Sequence, residues 1–354
     1  MGQDEGAIVS HSDDIDIRID GHAGRITLNR PDALNALTYQ MCLAIDAALI
    51  AWAEDDAVTL MIIDATGDKA FCSGGDIVQM YATGTAGDYD YGRRFWADEY
   101  RMNARLFNFP KPVVSLMQGF TMGGGVGVGC HASHRVVCDS SQIAMPECGI
   151  GLVPDVGGSL LLARAPGRLG EYLGSTAARM GPGDAIHAGF ADYMIPRDGW
   201  PDLIRALCET GDWEAVDRAA LPAPDSPMAA QARDIDRGFS GETLRDIHID
   251  LTHAGSDFAA DALTRMGRNS PLSMACAVET VHRVRNRQRM DFALDMEYRF
   301  TARSMEHGDF LEGIRAAIID KDRNPRWRHT GLTGVPPVDV SRMLMPLGAA
   351  GLKL

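Results

Sequence analysis

Two carboxylates and two glycine turns are the parts of this chain best suited to chemistry. Glu147 and Asp155 lie in AMPECGIGLVPDVGG, where Met145, Ile150, Leu152 and Val153 leave few polar neighbours. A carboxylate in such a wall tends toward a raised pKa and can serve as base, acid or nucleophile. The turns are Gly74-Gly75 and Gly123 to Gly125, each following an apolar strand-like run and preceding a helical pattern. Backbone N–H groups at helix starts are unpaired and carry the positive end of the helix dipole. Two of them converging would stabilise a carbonyl oxygen acquiring charge. One glycine turn alone would imply only close strand–helix packing; two, followed by two carboxylates, point to a site. Asp155 has a plainer reading as the cap of the helix that follows it.

Several other chemistries fail on spacing. The glycines at 123 to 127 never satisfy G-x-G-x-x-G, no Gly-Lys-Ser/Thr follows them, and G-x-S-x-G is absent. No His pair has H-E-x-x-H spacing, and His131 and His134 read as structural, so no metal is expected. The seven cysteines are scattered, odd in number and never C-x-x-C, which fits a reducing, cytoplasmic setting without a disulfide framework. The N-terminus is acidic, without a signal or transit pattern, and Gly6 stands where a myristoylation signal wants Ser or Thr. No run of eighteen apolar residues suggests a membrane span. Acidic residues outnumber basic ones 48 to 34, giving a net charge of −14 that argues against a nucleic-acid partner. The most basic run, His282 to Arg289, reads as a solvated helix face or a local phosphate anchor.

The elements that must hold these residues follow from periodicity. After a polar leader of roughly fifteen residues, Ile15 to Ile19 and Gly24 to Leu28 alternate across Asp20-Gly21-His22 as a hairpin. Thr38 caps a helix with apolar positions Met41, Ile45, Ala48, Leu49 and Trp52. Val58 to Asp64 and Val113 to Met117 are continuous apolar runs of the buried parallel type. The pattern strand, glycine turn, helix appears at Lys69 to Tyr81, again from Val113, and less clearly near Ser140 to Met145. Such repeats argue for stacked layers rather than one open sheet. Tyr89 to Asn108 reads as an amphipathic helix covering one side of the site. Helices are expected at Leu160 to Ala163, Glu171 to Ala178 and Gly183 to Ala188, then a short strand at Ala191 to Ile195. Leu221 to Pro227 is the best linker, dividing residues 14–220 from a mainly helical region, 228–354. There Ser270-Pro271 opens one helix, Phe292 to Ile319 is the longest apolar-periodic segment, and the tail is weakly patterned.

These residues resemble the crotonase, or enoyl-CoA hydratase/isomerase, superfamily, through ITLNRPDALNALT at Ile26 to Thr38, AFCSGGD at Ala70 to Asp76, and the Lys111 to Gly158 stretch. Within it they are most similar to the 3-hydroxyisobutyryl-CoA hydrolase branch, through TMGGGVGVG, AMPECGIGLVPDVGG and the segment Met296 to Trp327. The resemblance implies an α/β spiral of repeated β-β-α units with a mainly helical C-terminal region. It further implies an acyl-CoA substrate, no cofactor beyond the coenzyme A of that substrate, and a place in valine degradation. It assigns the oxyanion hole to the Gly75 and Gly124 N–H groups, the acyl chemistry to Glu147 with Asp155, and a pocket position to Glu99. Hydratases carry a first catalytic Glu where this chain has Gly127, so hydrolysis is expected over hydration; an isomerase, which needs one base, or a hydratase of the same superfamily is the alternative. Superfamily members commonly form homo-oligomers, but the extended C-terminal region could cover that interface. Arg30, Lys69 and Arg283 to Arg289 are the candidate cations for the CoA phosphates.

Overall fold

A computed structural model describes residues 10–354; the acidic start of the leader, Gly6 included, lies outside them. The larger sheet has seven strands in the order β1-β2-β3-β4-β6-β8-β10. These are Ser10–Ser12, Ile15–Asp20, Ala23–Leu28, Leu60–Ala65, Val113–Met117, His134–Val137 and Tyr193–Met194. Three shorter strands, β5 (Ala70–Cys72), β7 (Phe120–Met122) and β9 (Gln142–Ala144), form a second, parallel sheet.

The expected hairpin is β2 and β3, antiparallel from Ile15 opposite Leu28 to Asp20 opposite Ala23. From β3 onward the large sheet is parallel. Each repeat lays one strand in the large sheet, the next in the small sheet, and then turns toward a helix. The first runs β4, β5 and α2 (Val78–Thr85), the second β6, β7 and α4 (Gly124–Gly129). The third runs β8, β9, a 3-10 turn (Glu147–Ile150) and α5 (Gly158–Arg164). Consecutive repeats are neighbours in both sheets, so the chain winds as a spiral and brings the three strand-to-helix turns together.

Strands β4 and β6 are buried on both faces, which explains their unbroken apolar runs. Met61, Ile63, Val113 and Met117 face the main core. Leu60, Ile62, Val114 and Leu116 face a smaller one roofed by Trp200, Leu203 and Leu207 of the helix Trp200–Thr210. Burial of each such aliphatic side chain contributes about 1.5–3 kcal/mol. Helix α1 (Tyr39–Ala53) is capped by Thr38, whose side chain accepts from the Met41 N–H at 3.2 Å. Helix α3 (Asp90–Phe107) is the expected amphipathic helix, burying Phe95, Trp96, Glu99, Tyr100, Met102, Asn103 and Leu106.

The main core is continuous into the C-terminal region, where helices Pro271–Arg285 and Met290–His307 pack on α5 and α3. Ser270 caps the first of these, with Pro271 in its first turn. Four details differ from the sequence reading. The polar leader contributes strand β1, paired with β2 through its backbone. The helix within Lys69 to Tyr81 begins only at Val78, after Asp76, whose carboxylate accepts from the Val78 N–H at 3.4 Å and pairs with Arg30 at 3.2 Å. The segment 292–319 is broken after His307, where Gly308 adopts an extended conformation before Phe310–Ile314 resumes the helix. The tail holds a helix, Pro337–Leu344, that buries Met343 and Leu344. Among the described residues no helix is long and apolar enough to cross a membrane.

Candidate active site

The ends of the repeats surround a cavity of about 110 Å³. All five residues singled out from the sequence line it: Gly75, Glu99, Gly124, Glu147 and Asp155. Its remaining wall is mostly apolar, with Ile77, Met80, Phe95, Trp96 and Phe310 prominent.

The first two turns meet edge to edge. A Cβ built on Gly124 would lie 3.2 Å from the Gly75 nitrogen and 3.1 Å from Glu99 Oε1. Gly74 (φ +116°) and Gly123 (φ +52°) hold conformations that side chains disfavour, which frees the following N–H groups from the strands. Leu37 takes the Gly74 carbonyl and the Asp76 N–H on the outer side of the first turn, leaving the Gly75 N–H on the inner side. Gly124 opens α4, where the first N–H groups have no partner inside the helix.

Glu147 begins the 3-10 turn after β9, and its Oε1 would lie 2.7 Å from any Cβ on Gly123. Its Oε2 is buried with no hydrogen bond to the protein. Asp155 is 4% exposed, like Glu147, but accepts a 2.7 Å hydrogen bond from the Tyr100 hydroxyl. Burial pushes Glu147 well above the usual carboxylate range, and Asp155 adds to that. Burial likewise raises Glu99, again with a contribution from Asp155. Asp155 itself is pushed up to about 7 by burial, a rise limited by the Tyr100 hydrogen bond. Three carboxyls in one small cavity cannot all ionise easily, and Asp155 is the one with a donor side chain to hold its charge. Glu147 has no such donor: its Oε1 lies beside the Gly123 turn and its Oε2 is unpartnered.

Gly127 is tightly enclosed. A Cβ there would lie 2.7 Å from Asn103 Nδ2 and 2.8 Å from Val156 Cβ, so no side chain fits at this position unless its neighbours shift. Val156 is itself unusual: a β-branched residue at φ +52°, a left-handed conformation costing about 1–2 kcal/mol. The plainer reading of Asp155 as a helix cap does not hold, since no side chain of the preceding turn caps α5. That place is taken by Glu297 of the helix Met290–His307, which accepts from the Gly157 N–H at 2.8 Å, the Ser159 N–H at 3.0 Å and the Ser159 hydroxyl.

Sequence reasoning missed Tyr100 and Glu297. Tyr100 follows Glu99 on an ordinary amphipathic helix and gives no separate signal. Glu297 does leave one, since it shares the apolar face of its helix with Leu294, Phe300 and Thr301, where an acidic residue is out of place. His131 is structural as expected: its Nε2 bonds the Val156 carbonyl at 2.8 Å, and burial lowers its pKa to about 4. None of the candidate phosphate cations lines the cavity. Arg30 is engaged by Asp14 and Asp76, Arg283 by Glu279, Arg285 by Glu171 and Arg289 by Asp291.

A spiral of β-β-α repeats with two glycine turns facing buried carboxylates defines a crotonase-type enzyme, and comparison with known proteins agrees. The chain belongs to the enoyl-CoA hydratase/isomerase family, whose model matches residues 23–344. It is similar to 3-hydroxyisobutyryl-CoA hydrolase, mitochondrial, of Gallus gallus, with 35% identity over 96% of this chain and 91% of the relative. The protein of the same name from Homo sapiens is 34% identical over 94% and 89%. Among solved structures it is similar to an enoyl-CoA hydratase from Rhodobacter sphaeroides 2.4.1, with 56% identity, a TM-score of 0.92, and coverage of 96% of this chain and 100% of that one. A carnitinyl-CoA dehydratase from Mycobacterium thermoresistibile gives 39% identity and a TM-score of 0.92, over 97% and 99%.

Proposed function

We propose that the protein hydrolyses a short acyl-CoA thioester, 3-hydroxyisobutyryl-CoA being the substrate its relatives' names favour. The observation that carries this reading is the tight enclosure of Gly127. Hydration of an enoyl-CoA uses two carboxylates to manage one water, and no side chain fits at the position of the first unless Val156 and Asn103 shift. The name of the Rhodobacter sphaeroides structure points to hydration, whereas those of the curated relatives point to hydrolysis. The crowding at Gly127 favours hydrolysis.

The thioester carbonyl oxygen accepts from the Gly75 and Gly124 N–H groups. Each such donor is worth about a hundredfold to a thousandfold in rate. Glu147 either attacks the carbonyl carbon, giving an acyl anhydride that water opens, or removes a proton from an attacking water. Both routes pass through a tetrahedral oxyanion at the glycine pair, and both break the C–S bond to release the CoA thiolate, a good leaving group. The reaction draws on no metal or redox cofactor. Asp155, held by Tyr100, accepts the 3-hydroxyl of the acyl group, and Glu99 completes the pocket. The apolar wall of Ile77, Met80, Phe95, Trp96 and Phe310 would pack against the carbon atoms of the acyl group. The proposed cytoplasmic setting draws support from seven free, buried cysteines, although the relatives are named mitochondrial.

Thiol release from 3-hydroxyisobutyryl-CoA and 3-hydroxypropionyl-CoA tests the reading. Glu147→Gln should lower turnover by about 10²–10⁴-fold with the fold intact. Residual thiol release within tenfold of the parent would overturn it, as would double-bond migration in an enoyl-CoA without thioester hydrolysis.

A further inference from the structure

The residues that touch the cavity do not explain how Asp155 keeps its place. It stands at the start of a backbone turn in which Val156 (φ +52°) and Gly157 (φ +78°) are both left-handed. Such a pair is not self-supporting, because a β-branched residue at positive φ relaxes toward the extended region unless its surroundings prevent it. Two buried side chains grip this turn from opposite sides. His131 Nε2 donates to the Val156 carbonyl at 2.8 Å. Glu297, fully buried, takes the Gly157 N–H with one oxygen, and the Ser159 N–H and hydroxyl with the other. The backbone joins the grip to the site directly, since the Gly158 N–H bonds the Asp155 carbonyl at 2.7 Å.

The same helix reaches Asp155 by a second path. Thr301, one turn beyond Glu297, lies 3.4 Å from the Tyr100 hydroxyl that donates to Asp155. That contact is long for a hydroxyl pair and carries less weight. Burial pulls the Glu297 carboxyl up to about 8, against the bonds from Ser159 and Gly157. Every contact to its two oxygens is a donor, however, the pattern of an ionised carboxylate.

We infer that Glu297 is a positioning residue for the reaction: from the C-terminal helical region it holds the left-handed Val156–Gly157 turn that aims Asp155 at the acyl group. Glu297 does not touch the cavity. It acts through the turn, and the inference rests on the hydrolase reading only for the role of Asp155. A Gln at this position keeps the size but presents an amide N–H₂ to one of the backbone donors, so one hydrogen bond must be lost. It also removes a negative charge that raises the pKa of Glu147.

The experiment compares Glu297→Gln and Ser159→Ala with the parent in thiol release from 3-hydroxyisobutyryl-CoA, normalised to folded protein by circular dichroism. Glu297→Gln is expected to lower kcat by ten- to a hundredfold with KM within about twofold, and to shift the acid limb of the kcat profile to lower pH. Ser159→Ala, which removes one donor and keeps the carboxylate, should lower kcat by two- to fivefold and decides the matter if Glu297→Gln does not fold. A kcat equal to the parent's in the folded variants, with thermal stability alone reduced, would overturn the inference. If Glu147→Gln is inactive while these variants match the parent, only the positioning role fails; if Glu147→Gln is active, the hydrolase reading fails first.

Discussion

Replacement of Gly127 gives the sharpest test of why this site would hydrolyse rather than hydrate. In Gly127→Ala the new Cβ meets Asn103 Nδ2 at 2.7 Å and Val156 Cβ at 2.8 Å. Comfortable carbon contacts are about 3.5–4.0 Å, so Val156 or α4 must retreat by roughly 1 Å. Asn103 can swing its amide, but Val156 has no flexible end to move. Overpacking of this kind costs about 1–3 kcal/mol, offset by up to about 1 kcal/mol from replacing a helical glycine. Val156 is bonded in sequence to Asp155, so its retreat carries the carboxylate with it, and a 1 Å misplacement can cost about a hundredfold in rate. Gly127→Ala should therefore lose far more activity than stability. Gly127→Glu, which restores the residue type of a hydratase, should still not hydrate crotonyl-CoA, because the side chain cannot enter the cavity past Val156. The assays are thiol release, loss of enoyl absorbance and thermal denaturation. A Gly127→Glu variant that folds at parental stability and hydrates crotonyl-CoA would refute the steric argument.

Two more expectations follow from Asp155. Tyr100→Phe deletes the hydrogen bond that restrains its pKa, so the acid limb of activity, expected near or above pH 7, should move up by about one pH unit; an unchanged profile would separate Tyr100 from the chemistry. Asp155 also burdens the fold. Its folded pKa of about 7 exceeds the ordinary carboxylate value, so the folded state binds the extra proton, and stability falls as pH rises from about 4 to 7, by at most roughly 4 kcal/mol. Asp155→Asn should flatten that slope and melt higher than the parent at pH 8 while losing activity, and an unaltered pH dependence of melting would contradict this.

Much of the scaffold was legible because its signals are local. The apolar run at Val113 to Met117 is strand β6 with the same ends, and Thr38 caps α1 through its own side chain. The glycine turns could be placed because a strand precedes and a helix follows each. Features resting on backbone pairing left no side-chain trace: β1 is three polar residues held by β2, and the second sheet is made of three-residue strands too short to show a period. The break after His307 was hidden because apolar spacing continues across Gly308 into Phe310–Ile314. In the site, Glu147 and Asp155 stood out by their apolar surroundings in sequence. Glu297 and Tyr100 reach the same turn from distant segments, and one chain's periodicity carries no record of such meetings.

The bond from Gly157 to Glu297 spans 140 residues. During synthesis at about 5–20 residues per second, the Asp155 turn therefore emerges several seconds or more before the helix that closes on it. The sheets and both glycine turns can assemble in that interval, but the carboxylate turn that follows them lacks its anchor. Competence would arrive late and all at once, when the Met290–His307 helix docks, so a nascent or C-terminally clipped chain could hold a nearly complete spiral without turning over thioesters.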